Sequence, residues 1–495
     1  MREVKGSVIS GQSLETGVLV MNERVGVIGA GPAGLAAAYT LGKLGVPVDV
    51  FEAGSTIGGM ARTIDLWGQK VDLGPHRFFS ANARVNRLWL DIVGSEYRMI
   101  ERQTRIFYDG RFIDYPLRLA NSLAKLGSIE AARCLLSYLR QQFRRDGLAA
   151  SFEEWVRGRF GQRLYEIFFR SYSEKLWGIP CAHLDADFAA QRIRKLSIYE
   201  AARNALANGR GNRHATLVDR FAYPLGGTGS VYSRMANAIG AQDGSVHLLM
   251  PVRRVVPRTD GRLELELASG ERHAYHHIVS TMPLTLLVRA LPGAPQNVLD
   301  ACSSLRFRNT IVVYLRVEAQ NLFPDQWIYI HAPELAVGRI TNFRNWIPEL
   351  YGDSPDTILS LELWHDPDDA QSREPDEQHI ERASEDLRKT GLIHGARITA
   401  GHAVRVPFCY PVYSLGYRNH LRLLRDYLRT FPGLDVIGRC GSFKYNNQDH
   451  SLLMGILAAE KIALARDHDL WGVNADDAYQ EAAIIDETGL VPQLS

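Results

Sequence analysis

Three glycines near the start of the chain have a spacing that suits nucleotide binding. Gly29, Gly31 and Gly34 separate a short apolar strand from a helical pattern, and Glu52 ends the strand that follows the helix. Gly29 permits a tight turn, Gly31 lets the main chain approach a pyrophosphate, and Gly34 lets helix and strand pack closely. The helix N-terminus offers N–H groups to phosphate, and Glu52 is expected to accept hydrogen bonds from ribose hydroxyls. The pattern predicts a dinucleotide-binding βαβ unit.

A second glycine pair, Gly58 and Gly59, is followed by Arg62. This pair resembles the doublet that follows the second strand in the flavin amine oxidase and UDP-galactopyranose mutase superfamily. There it extends the pyrophosphate site of FAD, and Arg62 is in position to neutralise charge. NAD dehydrogenases do not usually carry such a doublet, so the resemblance favours FAD. In the same superfamily, a later strand that begins near Val252 flanks the adenine.

A late stretch, GRCGSFKYNNQDHSLLMG at residues 438–455, is rich in side chains that form hydrogen bonds. The strand before it is expected to bring it to the cofactor. Asp449 is predicted to be the N-cap of the apolar helix that follows, because a carboxylate there accepts from main-chain N–H groups. The helix N-terminus is then expected to direct positive dipole at the pyrimidine edge of the flavin, which favours the anionic reduced form.

The elements that carry these motifs predict an α/β fold. At 495 residues the chain is too long for one ordinary core. We expect a discontinuous Rossmann-like FAD-binding domain with a helical insert and an antiparallel β-sheet insert. The predicted boundaries are an extension over 1–20 (disordered, or upstream of a true start at Met21), FAD-binding segments over 21–80, 215–290 and 403–475, a helical insert over 81–214, an antiparallel sheet substrate domain over 291–402, and a C-terminal tail over 476–495.

Several motifs together resemble UDP-galactopyranose mutases of the type better known from eukaryotes, within the FAD-dependent amine oxidase and protoporphyrinogen oxidase superfamily. The similarity covers about residues 23–465, and its motifs are GPHRFFS, FFRSYSEKLWGIP, YPLGGTG, GRITNFRNWIP and residues 438–455. In that family reduced FAD is a nucleophile. Flavin N5 attacks the anomeric carbon of a nucleotide sugar, the diphosphate leaves, and the sugar closes again as a furanose with no net redox change.

This resemblance implies roles for individual residues. Arg339 matches a diphosphate-binding arginine, Arg192 an arginine of a mobile loop, and Arg439 the arginine between flavin and sugar. Tyr410 and Tyr445 match tyrosines that hydrogen-bond the diphosphate, and His76 matches a histidine near N5. The implied sets are catalytic His76, Arg339 and Arg439; substrate-binding Arg192, Tyr410, Tyr445 and Tyr115; and cofactor-binding Gly29, Gly31, Gly34, Glu52, Gly58, Gly59, Arg62, Val252, Arg439 and Asp449.

The sequence departs from the family pattern at two places. One glycine precedes Pro75-His76 where the family has two. Tyr115 and Pro116 are kept from the segment that helps to hold uracil, but residues 117–119 read Leu-Arg-Leu in place of an aromatic-Gln-Asn pattern. The nucleotide and the sugar therefore stay open, and a lipid-phosphate sugar also fits this segment.

Composition excludes several other classes. A formal net charge of +2 gives no electrostatic basis for nucleic-acid binding. The five cysteines form no C-x-x-C pair, no metal site is predicted, and no apolar run is long enough to cross a membrane. These features predict a cytoplasmic protein. The basic cluster RQQFRRDG at residues 140–147 is expected to be a solvated face, with binding to anionic lipid as the minor alternative.

Three functions are compatible with the sequence. The leading expectation is a sugar-nucleotide mutase that works with reduced FAD and needs an external reductant such as NAD(P)H. The second is an FAD-dependent oxidoreductase of the protoporphyrinogen oxidase, desaturase or amine oxidase type. The third is an FAD-binding partner in a glycan-assembly complex without chemistry of its own. Arginine and tyrosine side chains suit phosphate better than an apolar substrate, which favours the mutase.

Overall fold

The structure is a computed structural model that describes residues 23–115, 117, 125–142, 149–186, 220–474, 483–486 and 489–492. The predicted extension over 1–20 and the predicted site residue Arg192 lie outside the described residues. The strands are β1 (Val25–Ile28), β2 (Val48–Phe51), β3 (Thr63–Leu66), β4 (Gln69–Asp72), β5 (Tyr97–Glu101), β6 (Thr104–Tyr108), β7 (Arg111–Asp114), β8 (Arg220–Pro224), β9 (Ser245–His247), β10 (Val252–Pro257), β11 (Leu263–Leu267), β12 (Arg272–Tyr275), β13 (Ile278–Ser280), β14 (Phe307–Val317), β15 (Trp327–Ile330), β16 (Arg339–Asn342), β17 (Thr357–His365), β18 (Ile398–Pro411), β19 (Leu434–Val436), β20 (Ala483–Asp486) and β21 (Gly489–Pro492).

The described part of the chain also contains helices on both sides of the strands. They are α1 (Pro32–Lys43), α2 (Ala83–Val93), α3 (Ser128–Gln142), α4 (Phe152–Phe160), α5 (Gln162–Tyr165), α6 (Ser171–Trp177), α7 (Gly229–Gly240), α8 (Leu284–Ala290), α9 (Gln296–Ser304), α10 (Asp376–Lys389), α11 (Tyr417–Leu428), α12 (Gly438–Gly441) and α13 (Gln448–Leu464). A π-helical turn, Glu166–Arg170, joins α5 to α6. No described helix is long and apolar enough to span a membrane.

A five-stranded parallel sheet forms the first half of the architecture, in the order β19-β13-β1-β2-β9. Its strands come from three separate stretches of the chain. β1 is buried along its whole length because sheet neighbours and helices cover both of its faces, which explains its purely apolar sequence. β1 pairs in parallel with β2 and β13. The predicted βαβ unit is therefore confirmed.

Helix α13 packs closely on α1 because small residues line their contact. A Cβ atom at Gly455 would lie 2.5 Å from the carbonyl oxygen of Ala33 and 2.7 Å from the amide nitrogen of Ala37. Ala33, Ala36 and Ala37 are fully or almost fully buried. This contact fixes the N-terminus of α13 next to the N-terminus of α1, which matters for the site described below.

A seven-stranded sheet forms the second half, in the order β18-β14-β17-β16-β15-β6-β7. It differs from the predicted antiparallel insert over 291–402 in two respects. β6 and β7 join it from the range that was predicted to be helical, and β18 continues to Pro411. β15 and β6 pair in parallel, so the sheet is mixed. Long-range pairing of short strands leaves little local signal in the sequence, which explains the error.

The remaining predicted segments are also more varied than expected. Strands β5, β6 and β7 lie in the range 81–214, so the predicted helical insert also contains strands before residue 117. In the predicted tail, β20 and β21 form an antiparallel hairpin. The Tyr97 hydroxyl donates to the Asp486 carbonyl oxygen at 2.5 Å, which ties this hairpin to β5.

The close contact between α1 and α13 can be tested with two glycines inside helices. Gly455→Ala places a methyl group against the main chain of α1, and we expect it to lower the free energy of unfolding by about 1–3 kcal/mol. Gly158→Ala, in α4, is the matched control because a Cβ atom there meets nothing within 4 Å. Since alanine favours helix over glycine, the control should be neutral or stabilising by up to about 1 kcal/mol. Urea unfolding of both variants measures this, and equal effects would contradict the packing.

Candidate functional site

A cavity of about 1580 Å³ is lined by residues from both sheets. Most of the residues predicted from the sequence line it: Gly29, Gly31, Glu52, Gly59, Arg62, His76, Tyr115, Val252, Arg339, Tyr410, Arg439, Tyr445 and Asp449. Gly34 and Gly58 do not line the cavity but shape the turns that do. Residues more than 400 positions apart in the sequence thus contribute to one site.

The two glycine motifs form neighbouring parts of the cavity wall. Gly29 has a positive φ of 97°, in the region that favours glycine. A Cβ atom on Gly34 would overlap the carbonyl oxygen of Gly29, so the turn requires glycine at both positions. A Cβ atom on Gly59 would lie 3.3 Å from the Cα atom of Gly31. Side chains at these positions would fill a cradle that the main chain leaves open.

Glu52 holds the first glycine turn in place. Its carboxylate accepts hydrogen bonds from the amide nitrogens of Ala30 and Gly54, both at 2.8 Å. The same side chain borders the cavity next to Val252. The carboxylate is therefore fixed at the cavity wall, where a ribose would meet it.

Two helix N-termini reach this cavity. Helix α1 has Gly31 as its N-cap and no side-chain cap, so the first N–H groups of the helix have no side-chain acceptor. Such a terminus binds phosphate through N–H groups and dipole. Together with the glycine cradle and Glu52, this donor set fits the pyrophosphate and ribose of FAD.

The second N-terminus belongs to α13 and differs from the prediction. The N-cap is Asn447, not Asp449, and the helix begins at Gln448. The main-chain N–H of Asn447 donates to Nδ1 of His450 at 3.2 Å. Asp449 lies in the first turn, buried, at the cavity wall. The prediction failed because Asn is as good an N-cap as Asp and His450 closes the capping box.

Arg439 is a half-buried cation that contacts the rings of two tyrosines. Its Nε donates to the Cys409 carbonyl oxygen and its Nη1 to the Asn446 carbonyl oxygen, both at 2.8 Å. The guanidinium carbon lies 4.9 Å from the ring centroid of Tyr410 and 4.3 Å from that of Tyr445. The two tyrosine rings stack with centroids 5.5 Å apart. Arg439 forms no ion pair with a carboxylate of the described residues.

Arg339 is paired with a carboxylate that the sequence analysis did not identify. Its Nε and Nη2 donate to the two oxygens of Glu362 at 2.7 and 2.6 Å. Burial is the largest single influence and lowers the pKa of Arg339, but the charge and hydrogen bonds of Glu362 together with Tyr410 and Tyr172 outweigh it and raise the pKa well above the ordinary value. The signal that could have revealed Glu362 is its place as the one charged residue in the fully buried strand TILSLELWH. The Arg339 Nη2 also lies 3.5 Å from the Tyr410 hydroxyl.

His76 is neutral in this environment. Burial, followed by the positive charges of Arg339 and Arg439, lowers its pKa to about 3. Its Nδ1 is buried and has no hydrogen-bond partner among the described residues. A buried polar atom without a partner is costly, so this nitrogen is an unused hydrogen-bonding group of a residue that lines the cavity.

The loop that carries His76 is held by a buried carboxylate. Asp72 accepts hydrogen bonds from the Thr63 hydroxyl at 2.5 Å, the Tyr223 hydroxyl at 2.8 Å and the Thr228 amide at 3.3 Å. The Thr228 hydroxyl then donates to the His76 carbonyl oxygen at 2.9 Å. Burial raises the pKa of Asp72 to about 6, although the hydrogen bonds oppose the shift. This network joins the motif YPLGGTG to the His76 loop.

Tyr115 lines the part of the cavity wall next to Tyr329, the residue that lies opposite Arg339 in the sheet. Its ring packs edge-on against Tyr329 with centroids 5.1 Å apart, and the Arg102 guanidinium carbon lies 5.7 Å from its centroid. Leu117 also lines the cavity, whereas residues 116, 118 and 119 are outside the described residues. Aromatic faces in this region can stack on a planar ring.

The fold and the cavity define a mixed α/β protein of the FAD-dependent amine oxidase type. The chain belongs to the family described as flavin containing amine oxidoreductase, whose model matches residues 32–417. This family membership implies FAD as the cofactor, in agreement with the cradle, Glu52 and the two helix N-termini.

Individual relatives give a divided picture of activity. The chain is 36% identical over 121 residues to a 1-hydroxycarotenoid 3,4-desaturase of Flavobacterium sp. (strain P99-3), covering 23% of this chain and 25% of that protein. It is 28% identical over 175 residues to a probable UDP-galactopyranose mutase of Klebsiella pneumoniae, covering 33% and 44%. The matched part is thus less than half of either relative.

Several solved structures resemble almost the whole chain, among them a reduced UDP-galactopyranose mutase. Its TM-score is 0.81, with 23% sequence identity over 92% of this chain and 98% of that chain. At this identity the likeness establishes a shared fold.

The buried carboxyl of Asp72 predicts a pH dependence of stability. Its folded pKa of about 6 is above the ordinary value of 3.8, so the folded state disfavours the charged form. Stability should therefore fall as pH rises between these two values, by up to about 3 kcal/mol. Asp72→Asn should abolish that part of the pH dependence in urea unfolding. Asp65→Asn, on the exposed side of β3, is the control and should keep it. The same pH profile in wild type and Asp72→Asn would contradict the shift.

Proposed function

We propose that the protein is a sugar-nucleotide mutase that interconverts pyranose and furanose forms without net redox change, with FAD in its reduced form. The observation that carries this proposal is the half-buried Arg439, which lines the cavity without a carboxylate partner among the described residues. A cation partly withdrawn from water is stabilised by an anion, and a substrate diphosphate supplies one.

The charge of the whole cavity supports an anionic ligand. Among the described residues that line it there are eight arginines and three carboxylate side chains. The FAD pyrophosphate accounts for part of this excess. The Arg339 and Arg439 end, where His76 and the tyrosines lie, remains for the diphosphate of a substrate.

The same charges disfavour an amine substrate. In an amine-binding aromatic cage, two ring faces hold a cation. Here the rings of Tyr410 and Tyr445 already contact the guanidinium of Arg439. An ammonium group between them would meet a like charge at short range in a buried site, which is unfavourable.

The two arginines are oriented before any ligand binds. Arg339 uses Nε and Nη2 on Glu362, and Arg439 uses Nε and Nη1 on main-chain carbonyls. The remaining terminal nitrogen of each, Nη1 of Arg339 and Nη2 of Arg439, forms no hydrogen bond with a described residue. These two groups are proposed to bind the diphosphate and to stabilise the charge that develops as it leaves.

The glycine cradle and Glu52 would hold FAD, and its reduced form would provide nucleophilic chemistry at the anomeric carbon. His76 is proposed to stay neutral and to offer a hydrogen bond beside that centre, since its pKa of about 3 keeps it uncharged near neutral pH. Glu362 is proposed to position Arg339. The hydroxyls of Tyr410 and Tyr445 are proposed to donate hydrogen bonds to diphosphate oxygens. The part of the cavity wall at Tyr115 is proposed to bind the nucleotide base.

The competing function is FAD-dependent oxidation. The partial match to a 1-hydroxycarotenoid 3,4-desaturase and the family description both favour it. An apolar polyene would leave the charged end of the cavity without a counter-charge, which counts against a desaturase. Which nucleotide and which sugar bind is part of what the following experiment determines.

The proposal is tested by turnover in two redox states. The purified protein is offered UDP-, GDP- and dTDP-sugars, once oxidised and once reduced with dithionite, and the products are separated by chromatography. We expect interconversion of one nucleotide sugar only in the reduced state. No interconversion with any of them, together with peroxide formation from an amine or a porphyrinogen in air, would refute it.

A double substitution that removes both members of an ion pair distinguishes an effect on diphosphate binding from an effect on folding. Arg339→Met/Glu362→Gln removes both buried charges together, so no unpaired charge is left. We expect it to retain FAD but to weaken UDP binding by about tenfold or more, because a charge-assisted hydrogen bond is lost. Glu362→Gln alone should tighten UDP binding, since it frees Arg339 from its counter-charge.

Calorimetric titration with UDP measures both variants of the Arg339 pair. The matched control is Arg316→Met/Asp356→Asn, which neutralises an ion pair that does not line the cavity. UDP binding equal to wild type in the double variant of Arg339 would show that Arg339 does not contact the diphosphate.

A further inference from the structure

Helix α3 (Ser128–Gln142) carries large apolar side chains that face solvent. Ile129, Leu135, Leu136 and Leu139 are 72%, 57%, 67% and 46% exposed. Single exposed leucines are common on protein surfaces, but four large aliphatic residues on one helix form a contiguous patch of the kind that marks an interaction site.

The exposed residues lie on one side of the helix. At about 100° per residue, Leu135, Leu139, Leu136 and Ile129 fall within an arc of about 120°, with Ala132 between them. We call these five residues the apolar stripe. Arg133 and Arg140 are exposed along one edge of it. The apolar side of this helix therefore faces solvent, whereas the apolar side of an ordinary surface helix is covered by the protein core.

The other side of α3 is anchored to the protein by contacts that keep the apolar stripe facing solvent. Cys134 is buried in the core, and the Ser137 hydroxyl oxygen accepts from the Arg163 amide at 3.1 Å. Glu130 forms an ion pair with Arg163. The Tyr138 main chain passes so close to Gly161 that a Cβ atom there would be 2.9 Å away. The helix cannot rotate to bury the stripe without breaking these contacts.

We propose that the apolar stripe and its arginine edge dock on an anionic lipid bilayer, with α3 lying in the plane of the interface. An interfacial helix inserts apolar side chains to the level of the acyl boundary while basic residues reach the headgroups. A purely apolar protein partner would account for the leucines alone. Anionic lipid also accounts for Arg140 and for Arg133, whose ion pair with Glu130 at 3.4 Å lies at the surface and is weak, so charge complementarity selects it.

The position of α3 relative to the cavity gives this docking a consequence. The Arg111 Nη1 of β7 donates to the Leu126 carbonyl oxygen at 2.7 Å, and Lys125 pairs with Asp114 at 2.9 Å. These contacts hold the start of α3 next to the strand that leads to Tyr115, which lines the cavity and is partly exposed. A bilayer under α3 would therefore bring the part of the cavity wall at Tyr115 close to the membrane surface.

The test measures vesicle binding of the full-length FAD-loaded protein and does not depend on any catalytic activity. Flotation compares vesicles of phosphatidylcholine with vesicles that also contain phosphatidylglycerol. We expect binding to the anionic vesicles that weakens as salt is added. Leu135→Gln/Leu136→Gln should reduce it by at least about tenfold. Arg133→Gln/Arg140→Gln should reduce it by about fivefold for each arginine on anionic vesicles and have no effect on neutral ones.

Leu423→Gln, at another exposed leucine in a different helix, is the matched control and should bind like wild type. Bound flavin absorbance and the melting temperature establish that each variant is folded. Absence of wild-type binding to anionic vesicles overturns the proposal, as does equal binding by the Leu135/Leu136 variant and the control. Light scattering tests the alternative that a second copy of the chain covers the apolar stripe. A wild-type dimer that becomes a monomer on leucine substitution, together with no vesicle binding, would show an interface between two copies instead.

Discussion

The half-buried guanidinium of Arg439 joins the two sheets of this protein at the cavity. Arg439 follows the last strand of the parallel sheet, and one of its hydrogen bonds ends on Cys409 in β18 of the seven-stranded sheet. Its other main-chain hydrogen bond goes to the Asn446 carbonyl oxygen, and its guanidinium contacts the rings of Tyr410 and Tyr445. Because no described carboxylate neutralises it, the positive charge is held in place by geometry and is directed at the cavity. One constraint, the fixed position of Arg439, therefore ties the two sheets together and directs a positive charge at the cavity.

The surrounding residues are consistent with that constraint. Arg339 carries its own counter-charge in Glu362, which keeps the guanidinium ordered while it leaves one terminal nitrogen for a ligand. His76 avoids adding a third positive charge, because burial and the two arginines hold its pKa near 3. Asp72, on the other side of the loop, fixes the main chain of His76 through Thr228. The cavity therefore combines a cradle that fits FAD with two arginines whose orientation is fixed by hydrogen bonds.

Features that depend on neighbouring residues could be predicted from the sequence, whereas features that depend on residues far apart in the chain could not. The turn at Gly29–Gly34 and strand β1 were predictable, because a tight turn and a buried strand impose local residue types. Arg439 and Tyr445 were found through one continuous motif. The Arg339–Glu362 pair was missed because it needs the register of β16 and β17, where the two residues lie directly opposite. The parallel pairing of β6 with β15 was missed for the same reason, and the N-cap of α13 because Asn447 and Asp449 are nearly equivalent as caps.

The central claim is that a glycosidic carbon–oxygen bond breaks and re-forms in the cavity only when the flavin is reduced. The most direct measurement uses nucleotide sugars with heavy oxygen in the bridge between the anomeric carbon and the phosphate. Phosphorus NMR then follows whether the label moves into the non-bridging positions of that phosphate. The account predicts that the label scrambles with the dithionite-reduced protein and stays in the bridge with the oxidised protein. A label that remains in the bridge in both states, for every nucleotide sugar offered, would contradict it.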